Sequence, residues 1–188
     1  MGDEAADQQA TGGQPGSGPR ERRMATVREA KALAHPLRAR ILRLCGQREM
    51  TNKQLAERLG RDPGTVLYHV RLLADAGFLE QAPVRTGASG ALEKPYRSTN
   101  RSWWLDSARP DIEPDGFGAF DAFHEELREA GPGSVSNFAR FMLHLSPEEA
   151  AELDRRILAV LDEYVETDHE RLDRPAHGGV FVLHRLPE

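Results

Sequence analysis

The chain has 188 residues, of which 39% are hydrophobic and 29% charged, and a formal net charge of −5. Such a length builds one sizeable domain or two small ones. A single cysteine excludes a disulfide framework. With no apolar run long enough to span a bilayer and no apolar signal segment in the polar start, the chain is expected to be cytoplasmic, with no membrane partner.

The average charge hides a division. Residues 20–104 hold 17 Lys and Arg against 8 Asp and Glu, a net of +9, whereas residues 105–188 hold 8 against 19, a net of −11. A basic module draws polyanions by counterion release, while an acidic neighbour keeps phosphate away from itself. The first half is therefore the one expected to face nucleic acid.

Residues 1–22 are rich in Gly, Gln, Asp and Pro and are expected to be disordered. A first domain is placed over residues 23–105. Val27, Ala30, Leu33 and Ala34 predict a helix, His35-Pro36 breaks it, and Leu37, Ile41, Leu42 and Leu44 form the next apolar face. Cys45, inside that run, reads as core rather than as a sensor thiol. Arg38, Arg40 and Arg43 either reach a nucleic-acid backbone or line a solvated helix face.

Residues 51–77 predict two short helices joined by a tight turn. Thr51 and Gln54 have capping-box spacing, Met50 and Leu55 flank them as a hydrophobic staple, and Gly60 ends the first helix. Asp62 is a good N-cap for the second, with Pro63 at its first position. Val66, Val70 and Leu73 repeat on one face, while Thr65, Tyr68, His69 and Arg71 lie partly on others. A helix that packs inward with one face and meets DNA with the other has this spread of residues.

Residues 78–84 and 94–100 predict extended segments around a nine-residue Gly- and Ser-containing tip, expected to be mobile. Arg85, Lys94, Arg97 and Arg101 make this hairpin basic, suited to phosphate or an adjacent minor groove.

Over roughly residues 26–101 the chain resembles the ArsR-like family of winged-helix bacterial transcription regulators. The resemblance is carried by Ala32 to Leu42, by Leu55-Ala56 and Leu59-Gly60, by Thr65-Val66 with His69 to Leu73, and by Ala76-Gly77. It implies a homodimer whose two recognition helices read an inverted repeat, usually to repress a nearby promoter. It also places Gly64, Thr65, Leu67 and Tyr68 on the exposed leading part of the recognition helix. Thr65 and Tyr68 then suit base or sugar contacts and Leu67 a thymine methyl. Many relatives carry a small hydroxyl residue where this chain has Leu67. His69 and Arg71 reach phosphate on this reading, unless His69 instead ties the helix to the scaffold. Thr51, Asn52, Lys53 and Gln54 stand at a helix N-terminus, which favours phosphate.

Trp103 and Trp104 mark the exit from the hairpin, and one of them is expected to touch the C-terminal half or a partner. A linker is placed at residues 106–116, followed by a helical region at 117–188. Phe117, Phe120, Phe123 and Leu127 predict one helix, and Val135, Phe138, Phe141, Met142 and Leu145 a second beyond Gly131-Pro132-Gly133. Ser146 to Glu149 start a third, striped by Leu153, Ile157, Leu161 and Tyr164. These faces form either a dimer seam or a pocket for an unknown apolar effector. Residues 179–185 read as a short strand.

Isolated Ser, His and Asp residues occur, but there is no phosphate-binding glycine loop, HExxH pair or nucleophile elbow, so no catalytic residue is expected. The expected fold is mainly α with a small β wing, a winged helix-turn-helix domain followed by a helical dimerisation or effector region. The expected function is sequence-specific binding of double-stranded DNA by a homodimeric repressor without metal or cofactor. Two alternatives stay open: a zinc-responsive sensor using Asp121, His124, Asp168, His169 and His177, and a protein-interaction module on the same scaffold.

Overall fold

Local capping signals set the first three helices. In the computed structural model, which describes residues 22–87, 90–106 and 118–187, α1 (Val27–Leu33) opens on a capping box between Thr26 and Glu29. Glu29 also takes the Arg23 guanidinium at 2.5 and 2.9 Å, and this pairing pulls its carboxyl down to about 2 despite burial. His35 separates α1 from α2 (Pro36–Gln47), capping the second helix as its Nδ1 accepts from the Leu37 amide at 3.1 Å. β2 (Met50–Thr51) runs into α3 (Asn52–Leu59), where Thr51 and Gln54 form the expected capping box and Gly60 closes the helix at φ 60°. α4 (Pro63–Asp75) begins on Asp62, whose carboxylate accepts from the amides of Gly64 and Thr65 at 2.8 and 3.0 Å.

Packing then orders these elements around one core. Ile41, Leu55, Val66, Val70 and Leu73 are each 0% exposed, and Phe78 and Leu79 seal them from the hairpin side. The stripe Val66–Val70–Leu73 sets the rotation of α4. Cys45 is part of this core, and burial pushes its thiol up to about 12, so it carries no reactive thiolate at neutral pH. A three-stranded antiparallel sheet in the order β2-β6-β3 lies beside the helices, with β3 (Leu79–Gln81) and β6 (Pro95–Ser98) as its hairpin.

The hairpin is longer than its sequence implied. β4 (Arg85–Thr86) and β5 (Leu92–Glu93) continue it with Arg85 opposite Glu93, and the Gly87 amide donates to Ala91 at 2.8 Å. The cross-strand ion pair and that bond carry pairing outward into what composition alone marked as loop.

At the base, β1 (Arg23–Met24) pairs in parallel with β7 (Leu105–Asp106), so the chain leaving the hairpin returns beside the start of the domain. Between hairpin and β7, Asn100 takes a left-handed conformation at φ 56° before a 3-10 turn at Arg101–Trp104. Arg101 lies over Gly77, itself at φ +75°, in the space a methyl group would fill.

The second half departs from expectation in two places. α5 (Gly118–Ala130) and α6 (Pro147–Glu166) form, but residues 135–145 are not helical, and residues 179–185 do not form a strand. The expected helix over Val135, Phe138, Phe141, Met142 and Leu145 lies between a Gly-Pro-Gly break and the extended Ser146 cap. So short a segment is marginal unless one face is covered, and Phe138 here is 83% exposed. A strand likewise needs a ladder partner for its backbone groups, and among the described residues 179–185 have none in a sheet. Phe117 and the linker expected at 106–116 fall, apart from Asp106 in β7, outside the described residues.

α5 is held against α2 by charge. Arg40, 9% exposed, meets Glu125 at 2.6 Å and also Glu129; Arg43 meets Glu126 at 2.5 Å. α6 is tied in through Asp162, which takes the Arg22 guanidinium at 2.7 and 2.8 Å and the Trp103 indole N–H at 2.7 Å. The Arg22 guanidinium lies 4.9 and 5.7 Å from the rings of Trp103 and Trp104. Trp103 thus reaches the C-terminal half, as expected of one of the two, while both rings lie beside Arg22.

Two outcomes follow for stability. The His35 and His69 rings lie 4.6 Å apart at a 44° tilt, with Arg38 Nη1 3.5 Å from His69 Nδ1; burial first, and then the charge of Arg38 together with, for His69, that of His35, pushes both imidazoles below the ordinary value. As pH falls below ~6.5 the unfolded chain takes up protons that the folded one refuses, so stability falls until the folded values are passed. Melting followed between pH 7.5 and 5 is expected to show this decline, and His69→Gln to remove roughly half of its slope. Gly77→Ala, which combines an unfavourable φ with the Arg101 clash, is expected to cost about 1 kcal/mol or more in denaturant unfolding.

Candidate nucleic-acid interface

The outward side of the α3–α4 pair is set by what the inward side buries. With Val66, Val70 and Leu73 inside, Gly64, Thr65, Tyr68 and Arg71 are exposed and Leu67 is half-buried at the margin. Tyr68 is 61% exposed, so its ring and hydroxyl project from the helix. Asn52 Nδ2 donates to the Pro63 carbonyl at 2.9 Å and joins the start of α3 to the start of α4. Lys53 stands clear beside it, with only a 3.9 Å approach to Glu57.

Three expected contact residues are turned to other work. Thr51 is buried, its hydroxyl accepting from the Gln54 amide while the Gln54 side chain accepts from the Thr51 amide at 2.9 Å; both serve the cap of α3. His69 is 7% exposed and packs on His35 beside Arg38, which removes it from the phosphate-facing set. The scaffold role is the one that its surroundings fit.

The arginines of α2 are also reassigned. Arg38 donates to the carbonyls of Ala32 and Lys31 at 2.5 and 2.6 Å, fastening the α1–α2 junction, while Arg40 and Arg43 are taken by α5. Arg58, at the end of α3, also approaches Glu129 at 3.7 Å. Burial raises the Glu126 carboxyl above its ordinary value, opposed by the Arg43 charge beside it. The acidic half thus neutralises the back of the basic module and leaves the charge of the α3–α4 side and the hairpin less opposed.

On the hairpin, Arg97 pairs with Glu80 at 2.6 Å, and Arg85 approaches both Glu93 at 3.2 Å and Glu49 at 3.6 Å. These are exposed pairs of small net worth, which a phosphate can displace. Lys94 is exposed between them. Arg61 is exposed in the turn joining α3 to α4. Sequence reasoning passed over it because it looked like a spacer between the Gly60 terminator and the Asp62 cap. The available signal was its charge at a turn of fixed length.

Among the described residues, the aromatic side chains expected to line a seam or pocket in the second half are largely open to solvent. Phe123 is half-buried on α5, but Phe120 is exposed, and Phe138, Phe141 and Met142 are more than half exposed on the extended segment. Leu153 and Ile157 are half-buried on α6, whereas Leu161 and Tyr164 are exposed. His169 Nδ1 and His177 Nδ1 each lie 3.0 Å from a backbone carbonyl, and among the described residues no group of three or more His, Cys, Asp or Glu is placed to hold a metal ion. No helix of the described residues is long and apolar enough to cross a membrane.

No curated protein sequence matches the chain. Residues 33–82, which run from the last residue of α1 through α2, α3 and α4 to just past β3, match the family model of a helix-turn-helix domain, the DNA-binding domain of transcription regulators.

Proposed function

We propose that the chain is a sequence-specific transcription regulator of the ArsR-like winged-helix type, a homodimeric repressor that reads an inverted repeat in double-stranded DNA within the bacterial cytoplasm. The observation that carries this reading is the outward face of α4, where Thr65, Tyr68 and Arg71 stand exposed behind a fully buried apolar stripe. A helix of 13 residues anchored in this way presents its leading turns to a major groove.

Roles divide by chemistry. Thr65 and Tyr68 offer hydrogen bonds to base edges or sugar, and Leu67, at the margin of the face, offers apolar contact to a thymine methyl. Lys53, Arg61 and Arg71 supply phosphate contacts around the helix pair. Asn52 bonds the start of α3 to the Pro63 carbonyl, next to Gly64 at the start of α4, and these helix N-termini favour an anion. Arg85, Lys94 and Arg97 carry positive charge along the hairpin to a flanking phosphate or minor groove. Homodimerisation supplies a second helix, because one helix reads too few base pairs for useful specificity.

A genome-wide footprint on the cognate chromosome, followed by titration of the recovered sites, tests the reading. Lys53→Ala and Arg97→Ala are expected to weaken specific and random duplexes alike and to lower the salt slope by about one each. Tyr68→Ala is expected to change preference among operators by an amount equivalent to about 1–3 kcal/mol. Equal losses for Tyr68→Ala on specific and random duplexes, or binding indifferent to salt, would sink this assignment.

A further inference from the structure

A cleft of about 720 Å³ opens where three elements of the basic half meet. The turn from α2 to β2 lines it with Arg48 and Glu49, α3 with Glu57 and Arg58, and the hairpin with Arg85. Met50, 2% exposed, adds an apolar patch. No residue of α4 takes part, so a molecule can occupy this cleft while the recognition helix is engaged.

The three arginines gathered here are held less closely than others in the chain. Arg22, Arg40, Arg43 and Arg97 meet carboxylates at 2.5 to 2.7 Å. Arg85, by contrast, stands 3.6 Å from Glu49 and 3.2 Å from Glu93, and Arg58 stands 3.7 Å from Glu129. Among the described residues the exposed Arg48 side chain has no hydrogen bond or ion pair. A guanidinium closes on a well-placed oxyanion to about 2.7–2.9 Å, so Glu49 and Glu129 are loose acceptors that a better one displaces. Three arginines against two glutamates leave the lining net positive. Gln54 adds a neutral donor, because its Oε1 is taken by the Thr51 amide and its side-chain N–H groups remain.

We propose that this cleft binds a small organic dianion, a phosphate monoester or a dicarboxylate, gripped by Arg48, Arg58 and Arg85. The planar guanidinium fork matches both head groups. The volume falls within the roughly 300–1,000 Å³ of small-molecule sites, which suits a metabolite rather than a polymer. Occupancy acts at two joints. Arg85 belongs to the hairpin and Arg58 approaches α5 through Glu129, so an anion that draws both inward takes a cation from the hairpin and loosens α3 from α5. This coupling rests on the DNA reading above: the dianion weakens operator binding, and DNA weakens the dianion by the same factor.

Calorimetric titration of the full chain with phenyl phosphate, and separately with succinate, at fixed ionic strength tests the site. One molecule per chain is expected to bind. Arg48→Gln and Arg58→Gln are each expected to raise the dissociation constant about tenfold, whereas Lys53→Gln, a cation outside the cleft, leaves it unchanged. Arg48 is exposed and makes no bond within the chain, so its replacement does not threaten the fold. Binding of one probe alone identifies the head group. Binding of neither, or equal losses for Arg48→Gln and Lys53→Gln, overturns the proposal. Operator affinity is expected to fall about tenfold when the bound probe is saturating, and to be unmoved by it in Arg48→Gln. An operator affinity that ignores the probe in the unmodified chain overturns the coupling. A chain that binds a probe through Arg48 but binds no duplex keeps the site and removes the DNA reading, and one that binds duplex but neither probe does the reverse.

Discussion

The rotation of α4 about its own axis is the constraint on which the rest depends. Val66, Val70 and Leu73 are fully buried, and three such side chains hold the helix with roughly 1.5–3 kcal/mol each relative to exposure. Once that stripe is inside, the outward positions of Thr65, Tyr68 and Arg71 follow from the 3.6-residue period. The Asp62 cap fixes where the helix starts, the Asn52 bond to Pro63 fixes its distance from α3, and the His35–His69–Arg38 cluster ties its middle to the α1–α2 junction. A slip of one residue in this seating would turn Tyr68 toward the core and place a valine outside.

Charge is organised around the same seating. The basic half and the acidic half meet along α2 and α5, where Arg40, Arg43 and Arg58 are answered by Glu125, Glu126 and Glu129. Arg40 is too deeply buried to tolerate loss of its partners, since a single unpaired buried guanidinium costs more than the pair contributes. The contact orients α5 and at the same time screens the back of the module. What is left exposed on the α3–α4 side, Lys53, Arg61 and Arg71 among them, is a smaller set of cations than the sequence count implied.

The N-terminal half was legible because its information is local. Caps at Thr51 and Asp62, the terminator Gly60, and the spacing of Val66, Val70 and Leu73 are short-range signals, and each appears in the structure where periodicity placed it. The site was legible only in part. Whether His69 faced phosphate or scaffold depended on His35 and Arg38, which are distant in sequence, and whether Arg40 and Arg43 were available depended on α5, some eighty residues on. The helix expected at 135–145 failed for a related reason: apolar spacing marks a face that seeks cover, not the conformation taken when cover is absent from the chain. The hairpin was underestimated because the Arg85–Glu93 pair acts across strands, where composition is blind to register.

The two halves are joined by different chemistry from that which holds the first half together. The core of the module is apolar and insensitive to ionic strength, whereas Arg40 with Glu125, Arg43 with Glu126, and Arg22 with Asp162 are ion pairs, at side-chain exposures from 10% to 49%. Salt screens the more exposed of these pairs first and leaves the core unaffected. Phosphate contacts on the opposite side respond to salt in the same direction. Ionic strength therefore acts on the module from both sides at once, weakening its grip on a polyanion and loosening the acidic half that orients it. In a chain divided between +9 and −11, these two responses are not independent, because the carboxylates that hold α5 on α2 are also the charges that keep DNA from approaching that side.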